Sequence, residues 1–329
     1  VSDDPILLKQ EPDSLEEILK LRPYGPRKLW DIPPESNDSG LRNKMEGALL
    51  GRLIGCLMGV PVEGWDSERM EAWSRSLEIK FPPVDYWPEV EQPYAKNCYG
   101  HYRSEYKKAN MLLAPVDDDI IYTQLALLIL EEFGPNFTTK DVGTAWKKYL
   151  PVACTAEDIA LRNLKQGIPV SETAEIDNPY RQWIGGAIRS DGFGWAAAGY
   201  PEKAAKMAYT DACLSHRRNG IYGEMFLAAV QSAAFAVSDP MEAVRIGMTE
   251  IPAQCRLYQD LSWALSVSDQ VTDYKDACRL IKERFSLMHP VHTNNNLCLI
   301  VFGLRLAQGN FLKGISQTVA MGYDNDCTA

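Results

Sequence analysis

Histidine is scarce in this chain, four residues in 329, and none stands at a metal-binding spacing. The eight cysteines (Cys56, Cys98, Cys154, Cys213, Cys255, Cys278, Cys298, Cys327) form no C-x-x-C pair. That argues against a cysteine-built zinc or redox motif and leaves reduced thiols in a cytoplasmic setting as the expectation. A basic excess is missing too: the net charge is -10 and the pI near 5.1, which excludes a general nucleic-acid binder with a cationic face for phosphates. Val1-Ser2-Asp3-Asp4 lacks the basic and then apolar regions of a signal peptide. The most apolar early run, Gly47 to Val62, carries Arg52 and four glycines and is too short to span a bilayer, so no membrane segment is expected. Strand signals are sparse, and no linker rich in Gly, Ser or Pro divides the chain.

What is present is helical. With 46% hydrophobic and 24% charged residues the chain is an ordinary globular one, large enough for a substantial core. Ser14-Leu15-Glu16-Glu17 has capping-box form before Ile18-Leu19, and Thr138 with Asp141, and Thr155 with Asp158, predict further helix starts. Helix-length segments run over 120–133, 201–214, 222–237, 241–251, 272–285 and 311–321, with breaks at Gly134-Pro135, Asp239-Pro240 and Pro252. The predicted class is all-α: a single compact orthogonal helical bundle over residues 41–329. Residues 1–40, with Pro23, Pro26, Pro33 and Pro34, read as an N-terminal arm wrapped over it. Residues 66–114, rich in Tyr, Trp and Pro, form a long insertion whose aromatics either stack on a ligand or anchor the loop.

Two acidic clusters stand where loops meet apolar helix-like runs: Asp117-Asp118-Asp119 and Asp324-Asn325-Asp326. Adjacent carboxylates repel, so they must be solvated, neutralised or bound to a cation, and oxygen ligands suit hard ions such as Mg²⁺, Mn²⁺ and Ca²⁺. Helix capping is the competing account, since an Asp at a helix start accepts from free N–H groups. One Asp suffices for a cap; the pair of clusters favours a shared metal site.

The Gly-rich segment 47–63, ending Pro61-Val62-Glu63, together with the cluster at 117–119 and Gly322-Tyr323-Asp324-Asn325-Asp326-Cys327-Thr328, resembles the ADP-ribosylglycohydrolase family, which includes the dinitrogenase reductase-activating glycohydrolases. The resemblance implies an all-α domain holding two divalent cations, Mg²⁺ or Mn²⁺. Its early Thr/Ser-Asp-Asp-Thr motif falls on 116–119 or 117–120, so Asp117, Asp118 and Asp119 are all ligand candidates. Its late Asp-x-Asp-Thr motif falls on Asp324, Asp326 and Cys327, with Thr328 as the nearby hydroxyl.

The same resemblance makes Glu63 a glutamate beside the metals and Gly185, Gly186, Arg189, His216 and Asn294 substrate-binding candidates. Arg189 and His216 are alternatively structural, and Asn294 an N-cap. Two departures are a cysteine each: Cys56 where the family has an aspartate, and Cys327 where it has a threonine. A thiolate is a soft ligand and a poor partner for Mg²⁺.

The implied activity is hydrolysis of a glycosidic bond to a ribosyl unit, with Glu63, Asp118 and Asp324 catalytic and an ADP-ribosylated protein or ribosyl small molecule as partner. The alternatives are a hydrolase of free nucleosides or related glycosides, and a catalytically weak crystallin-like structural or binding protein.

Overall fold

A computed structural model describes residues 5–31, 33–35, 37–97 and 99–329. Val1-Ser2-Asp3-Asp4 and Cys98 lie outside the described residues. Helices take up 60% of the chain and no strand forms among the described residues, so the class is all-α. The chain divides into two compact units, one of Val1–Met45 with Ile121–Leu261 and one of Glu46–Ile120 with Ser262–Ala329.

In the first unit the Asn219–Ala234 helix is the hub. Its Ile221, Tyr222, Met225, Phe226, Ala228 and Ala229 are fully buried, because small side chains let the Pro201–Ala212 and Pro240–Met248 helices approach closely. The Thr138 capping box forms as expected and starts the Thr139–Tyr149 helix. Thr155 differs: it is the first residue of Thr155–Lys165, at φ 43°, after Cys154, which makes no side-chain cap. Its hydroxyl reaches Glu157 at 3.5 Å instead.

The N-terminal segment is tied down by polar contacts. The Tyr222 hydroxyl donates to the Pro12 carbonyl at 2.5 Å, the Arg218 N–H to Asp13 at 2.6 Å, and Arg22 pairs with Glu202 and Glu250. Ser14 accepts from the Glu17 N–H and starts Leu15–Leu21.

In the second unit, the helix that begins at Ser39 runs to Gly59 and continues as one 3₁₀ turn, Val60–Val62. By length and composition Ser39–Val62 is apolar enough to cross a membrane, longer than the Gly47 to Val62 stretch that the sequence suggested. Its Gly55, Cys56, Leu57, Met58 and Gly59 are buried among this unit's own residues: Met58 packs with Val62, Trp65, Met70 and Trp87, and Cys56 and Leu57 pack with Val60, Tyr106 and Ile120. The aromatic insertion mostly anchors itself. Trp87 is fully buried and its indole N–H donates to the Met58 carbonyl at 2.9 Å, whereas Tyr94 is exposed.

Close backbone contact fixes the end of the chain against this helix. A Cβ on Gly59 would lie 2.4 Å from the Asp326 N and Cα, so only glycine admits the Asn325–Thr328 helix there. Gly59→Ala should therefore destabilise the protein by about 1–3 kcal/mol through overpacking. Gly47, in the same helix, has nothing within 4 Å of a built Cβ. Gly47→Ala should be neutral or stabilising by up to about 1 kcal/mol. Urea unfolding of the two variants checks this, and equal effects would contradict the packing assigned to Gly59.

Candidate metal centre

The early acidic cluster sits at the start of the Asp118–Phe133 helix. Asp117 acts as its cap, accepting from the Asp119 N–H at 3.2 Å, so capping accounts for one of the three aspartates. Asp117 and Asp119 are buried, and the second is 1% exposed. Asp117 is gripped further: the Tyr106 hydroxyl lies 3.3 Å from its Oδ2, and the Cys56 thiol donates to its Oδ1 at 3.5 Å. Arg52 Nη1 pairs with Asp119 Oδ1 at 3.1 Å.

The late cluster is delivered by a turn in which Gly322 and Tyr323 both take left-handed backbone angles, φ 78° and 64°. For Tyr323 that conformation is unfavourable by about 1 kcal/mol or more, a strain typical of sites whose side chains must be aimed. The turn is pinned from both sides: the Gly64 N–H donates to the Tyr323 carbonyl at 2.9 Å, and the Asp324 N–H to Asn296 Oδ1 at 3.3 Å. Asp324 and Asp326 are buried as a result.

Three overlapping groups arise, in each of which one ligand atom per residue lies within 4.8 Å of the others: Asp117, Asp118 and Asp119; Glu63, Asp324 and Asp326; and Asp119, Asp326 and Cys327. Asp119 and Asp326 each belong to two groups, the arrangement needed to share ligands between two ions. Arg103 Nη2 reaches Glu63 at 3.5 Å while its Nη1 donates to the Val60 carbonyl at 2.9 Å, which orients the glutamate.

Electrostatics say that this centre is short of positive charge. Burial, then the charge of Glu63, pushes the Asp117 carboxyl up to about 6. Burial pushes Asp119 well above the carboxylate range despite Arg52, and raises Asp326 well above it with added repulsion from Glu63 and Asp324. Dehydration on its protein side, then repulsion from Asp324, lifts Glu63 to about 7, against the pull of Arg103. The Glu63 side chain is nonetheless 47% exposed. Asp326 Oδ1 is buried without a hydrogen-bond partner, and so is Thr328 Oγ1. Buried carboxylates, an orphaned carboxylate oxygen and donor atoms at mutual ligand distances all fit a divalent cation.

The remaining sequence candidates have other surroundings. Arg189 is 2% exposed inside the first unit, with Nε 2.5 Å from Asp211, Nη1 2.6 Å from Glu157 and Nη2 3.2 Å from Glu224. A Cβ on Gly185 would strike the Glu157 carboxylate at 2.3 Å. His216 is fully buried; its Nε2 accepts from the Gly186 N–H at 3.2 Å and Nδ1 is 2.8 Å from Ser215 Oγ, so the ring proton sits on Nδ1. Burial keeps this imidazole neutral, with its pKa well below the usual histidine range. Asn294 is buried in the first turn of Thr293–Ala307, and the cap of that helix is His292, which accepts the Asn294 N–H at 3.1 Å.

Sequence reasoning missed Arg52, Arg103 and Tyr106 as parts of the centre. Tyr106 lies in the aromatic insertion between the two motif segments, which was a usable signal; nothing in the sequence singled out Arg103. A separate cavity of 540 Å³ is lined by Gly64, Trp65, Lys282, Phe285 and Tyr323 among others, and by none of the centre's acidic residues.

The family model for ADP-ribosylglycohydrolase matches residues 37–329. No curated protein sequence matches the chain.

The raised carboxyls give the ion-free protein a pH signature. Each binds its proton more tightly folded than unfolded, so its contribution to stability is present below the ordinary carboxyl range. That contribution is lost as pH rises through the folded values, about 6 for Asp117 and about 7 for Glu63. Chelator-treated protein should therefore melt at a lower temperature at about pH 8 than at about pH 5. Saturating Mg²⁺ or Mn²⁺ should flatten or reverse the trend, because the ion binds only the folded, ionised cluster. Thermal melts in both conditions check this; a pH trend indifferent to cation would remove the centre's claim to hold one.

Proposed function

Because this chain belongs to the ADP-ribosylglycohydrolase family, glycohydrolases that act on ADP-ribosylated substrates, we propose that it hydrolyses the glycosidic bond at the anomeric carbon of a ribosyl unit, removing ADP-ribose from a modified protein or small acceptor. The observation that carries this reading is the meeting of Glu63, Asp324 and Asp326 within 4.8 Å, alongside the group formed by Asp117, Asp118 and Asp119.

Asp117, Asp118, Asp119, Asp324 and Asp326, with the hydroxyl oxygen of Thr328, would hold two divalent cations, Mg²⁺ or Mn²⁺. When bound, these supply Lewis-acid polarisation of the ribose oxygens and of the attacking water. Glu63 is the residue suited to take the proton from that water. It is half exposed and oriented by Arg103. The water oxygen bonds to the anomeric carbon as the bond to the acceptor breaks, and the acceptor leaves with the electron pair and a proton. Positive charge developing on the ribose ring is favoured by the carboxylates around it. Asp118 and Asp324, one from each motif, would position the reacting centre.

Incubating the protein and Mg²⁺ or Mn²⁺ with ADP-ribosyl-arginine, ADP-ribosyl-serine and free nucleosides, and measuring released ADP-ribose or base, tests the reading. Release from one ADP-ribosylated acceptor is expected. The double variant Asp118→Asn with Asp324→Asn should lose activity by about 1,000-fold or more, the several kcal/mol that metal electrostatics supply, with its circular dichroism unchanged. Cleavage of free nucleosides alone would favour the other glycosidase, and undiminished activity in the double variant would dismiss the assigned site.

A further inference from the structure

The donor groups of the centre are not chemically alike. Glu63, Asp324 and Asp326 offer oxygen only, as do Asp117, Asp118 and Asp119, whereas Asp119 and Asp326 meet the sulfur of Cys327 with all three donor atoms within 4.8 Å. The Cys327 thiol already points at the centre, donating to Asp119 Oδ2 at 3.4 Å. Asp326, 5% exposed, has a carboxylate oxygen with no hydrogen-bond partner. Bonds of about 2.0 Å to oxygen and about 2.3 Å to sulfur put the ligand atoms of one ion roughly 3 to 4.5 Å apart, the scale of this group.

We propose that Cys327 is a metal ligand, and that the cation it shares with Asp119 and Asp326 is a borderline divalent ion such as Zn²⁺, Co²⁺ or Fe²⁺ rather than Mg²⁺. The inference rests on the metal-dependent reading above and divides its two positions by chemistry. The aspartates of the two oxygen-only groups keep the hard ion, because Mg²⁺ demands oxygen and gives up its waters reluctantly. The mixed group gains from sulfur, which borderline ions accept and Mg²⁺ does not. On binding, the metal–sulfur bond forms as the thiol proton passes to solvent; the hydrogen bond to Asp119 is given up, leaving that oxygen to ligate, and no electron is transferred.

The placement is set by backbone. Cys327 lies in the Asn325–Thr328 helix, where the Thr328 N–H donates to the Asp324 carbonyl at 3.1 Å and the Asp326 backbone is pressed against Gly59. Cys56 supplies the internal contrast. Its sulfur is 3.5 Å from Asp117 Oδ1, yet it joins none of the donor groups. It is assigned no metal bond.

The test uses the full chain, stripped with chelator and loaded with one equivalent of Zn²⁺, read by X-ray absorption at the zinc edge. A sulfur neighbour at about 2.3 Å is expected in the wild type and in Cys56→Ser. It should be absent in the near-isosteric Cys327→Ser and in Cys327→Thr, each checked for fold by circular dichroism. By calorimetry, Cys327→Ser should weaken Co²⁺ binding by roughly tenfold or more while Mg²⁺ binding changes little. A zinc shell of oxygen and nitrogen alone in the wild type, which needs no variant to fold, overturns the inference and leaves the hydrolase reading standing. A sulfur signal that survives in Cys327→Thr overturns it as well. A protein that binds no divalent ion in any arm overturns both.

Discussion

Mutual repulsion among buried carboxylates is the constraint on which the second unit is built. Asp117, Asp119, Asp324 and Asp326 are each less than a tenth exposed, and Arg52 is the cation placed directly against one of them. Forcing like charges together in a low-dielectric interior is unfavourable, and the raised carboxyls register that cost. The protein can bear it by protonation or by taking up cations, and only the second leaves the carboxylates ionised for chemistry.

The surrounding chain is organised to hold this arrangement in place. Gly59 lets the Asn325–Thr328 helix lie against the Ser39–Gly59 helix, while Gly322 and Tyr323 accept left-handed angles so that Asp324 turns inward. Trp87 bonds to the Met58 carbonyl and Tyr106 reaches Asp117, so the aromatic insertion braces the centre from a second direction. Asn97 continues that bracing, donating to the Tyr106 hydroxyl at 3.0 Å and to the Val116 carbonyl at 2.8 Å. Strain and close contact in one region, supported by packing around it, is how a fold keeps side chains where local preference would not put them.

Much of this was legible in the sequence, for identifiable reasons. Helix existence followed from period and caps: Thr138 closes its capping box and Ser14 caps through its hydroxyl, because that interaction is local. The acidic motifs were visible as clusters because adjacent like charges are conspicuous. What could not be read were the long-range partners. Nothing local tells that Arg52 and Arg103 face Asp119 and Glu63, or that Thr155 begins its helix at a positive φ. The membrane-length extent of Ser39–Val62 escaped notice for a related reason, since its first turns lack the apolar signature of its last ones.

Arginine shows why residue type alone could not separate site from scaffold. Arg189 lies among Glu157, Asp211 and Glu224, and its three guanidinium nitrogens each reach one of them, with the Tyr122 and Trp146 rings over its face at 5.7 and 5.2 Å. Burial pushes the Glu224 carboxyl up, and its Oε1 is buried without a hydrogen-bond partner. Arg52 answers Asp119, and Asp326 likewise keeps an unpartnered oxygen. Both are buried acidic clusters with an arginine, and a sequence motif can mark either. What distinguishes them is where the donor atoms converge. Around Arg189 three carboxylates each reach a different guanidinium nitrogen, so the charges serve the fold. Asp119 and Asp326 instead bring donor atoms within 4.8 Å of one another and of further ligand residues, which is the geometry that suits a cation.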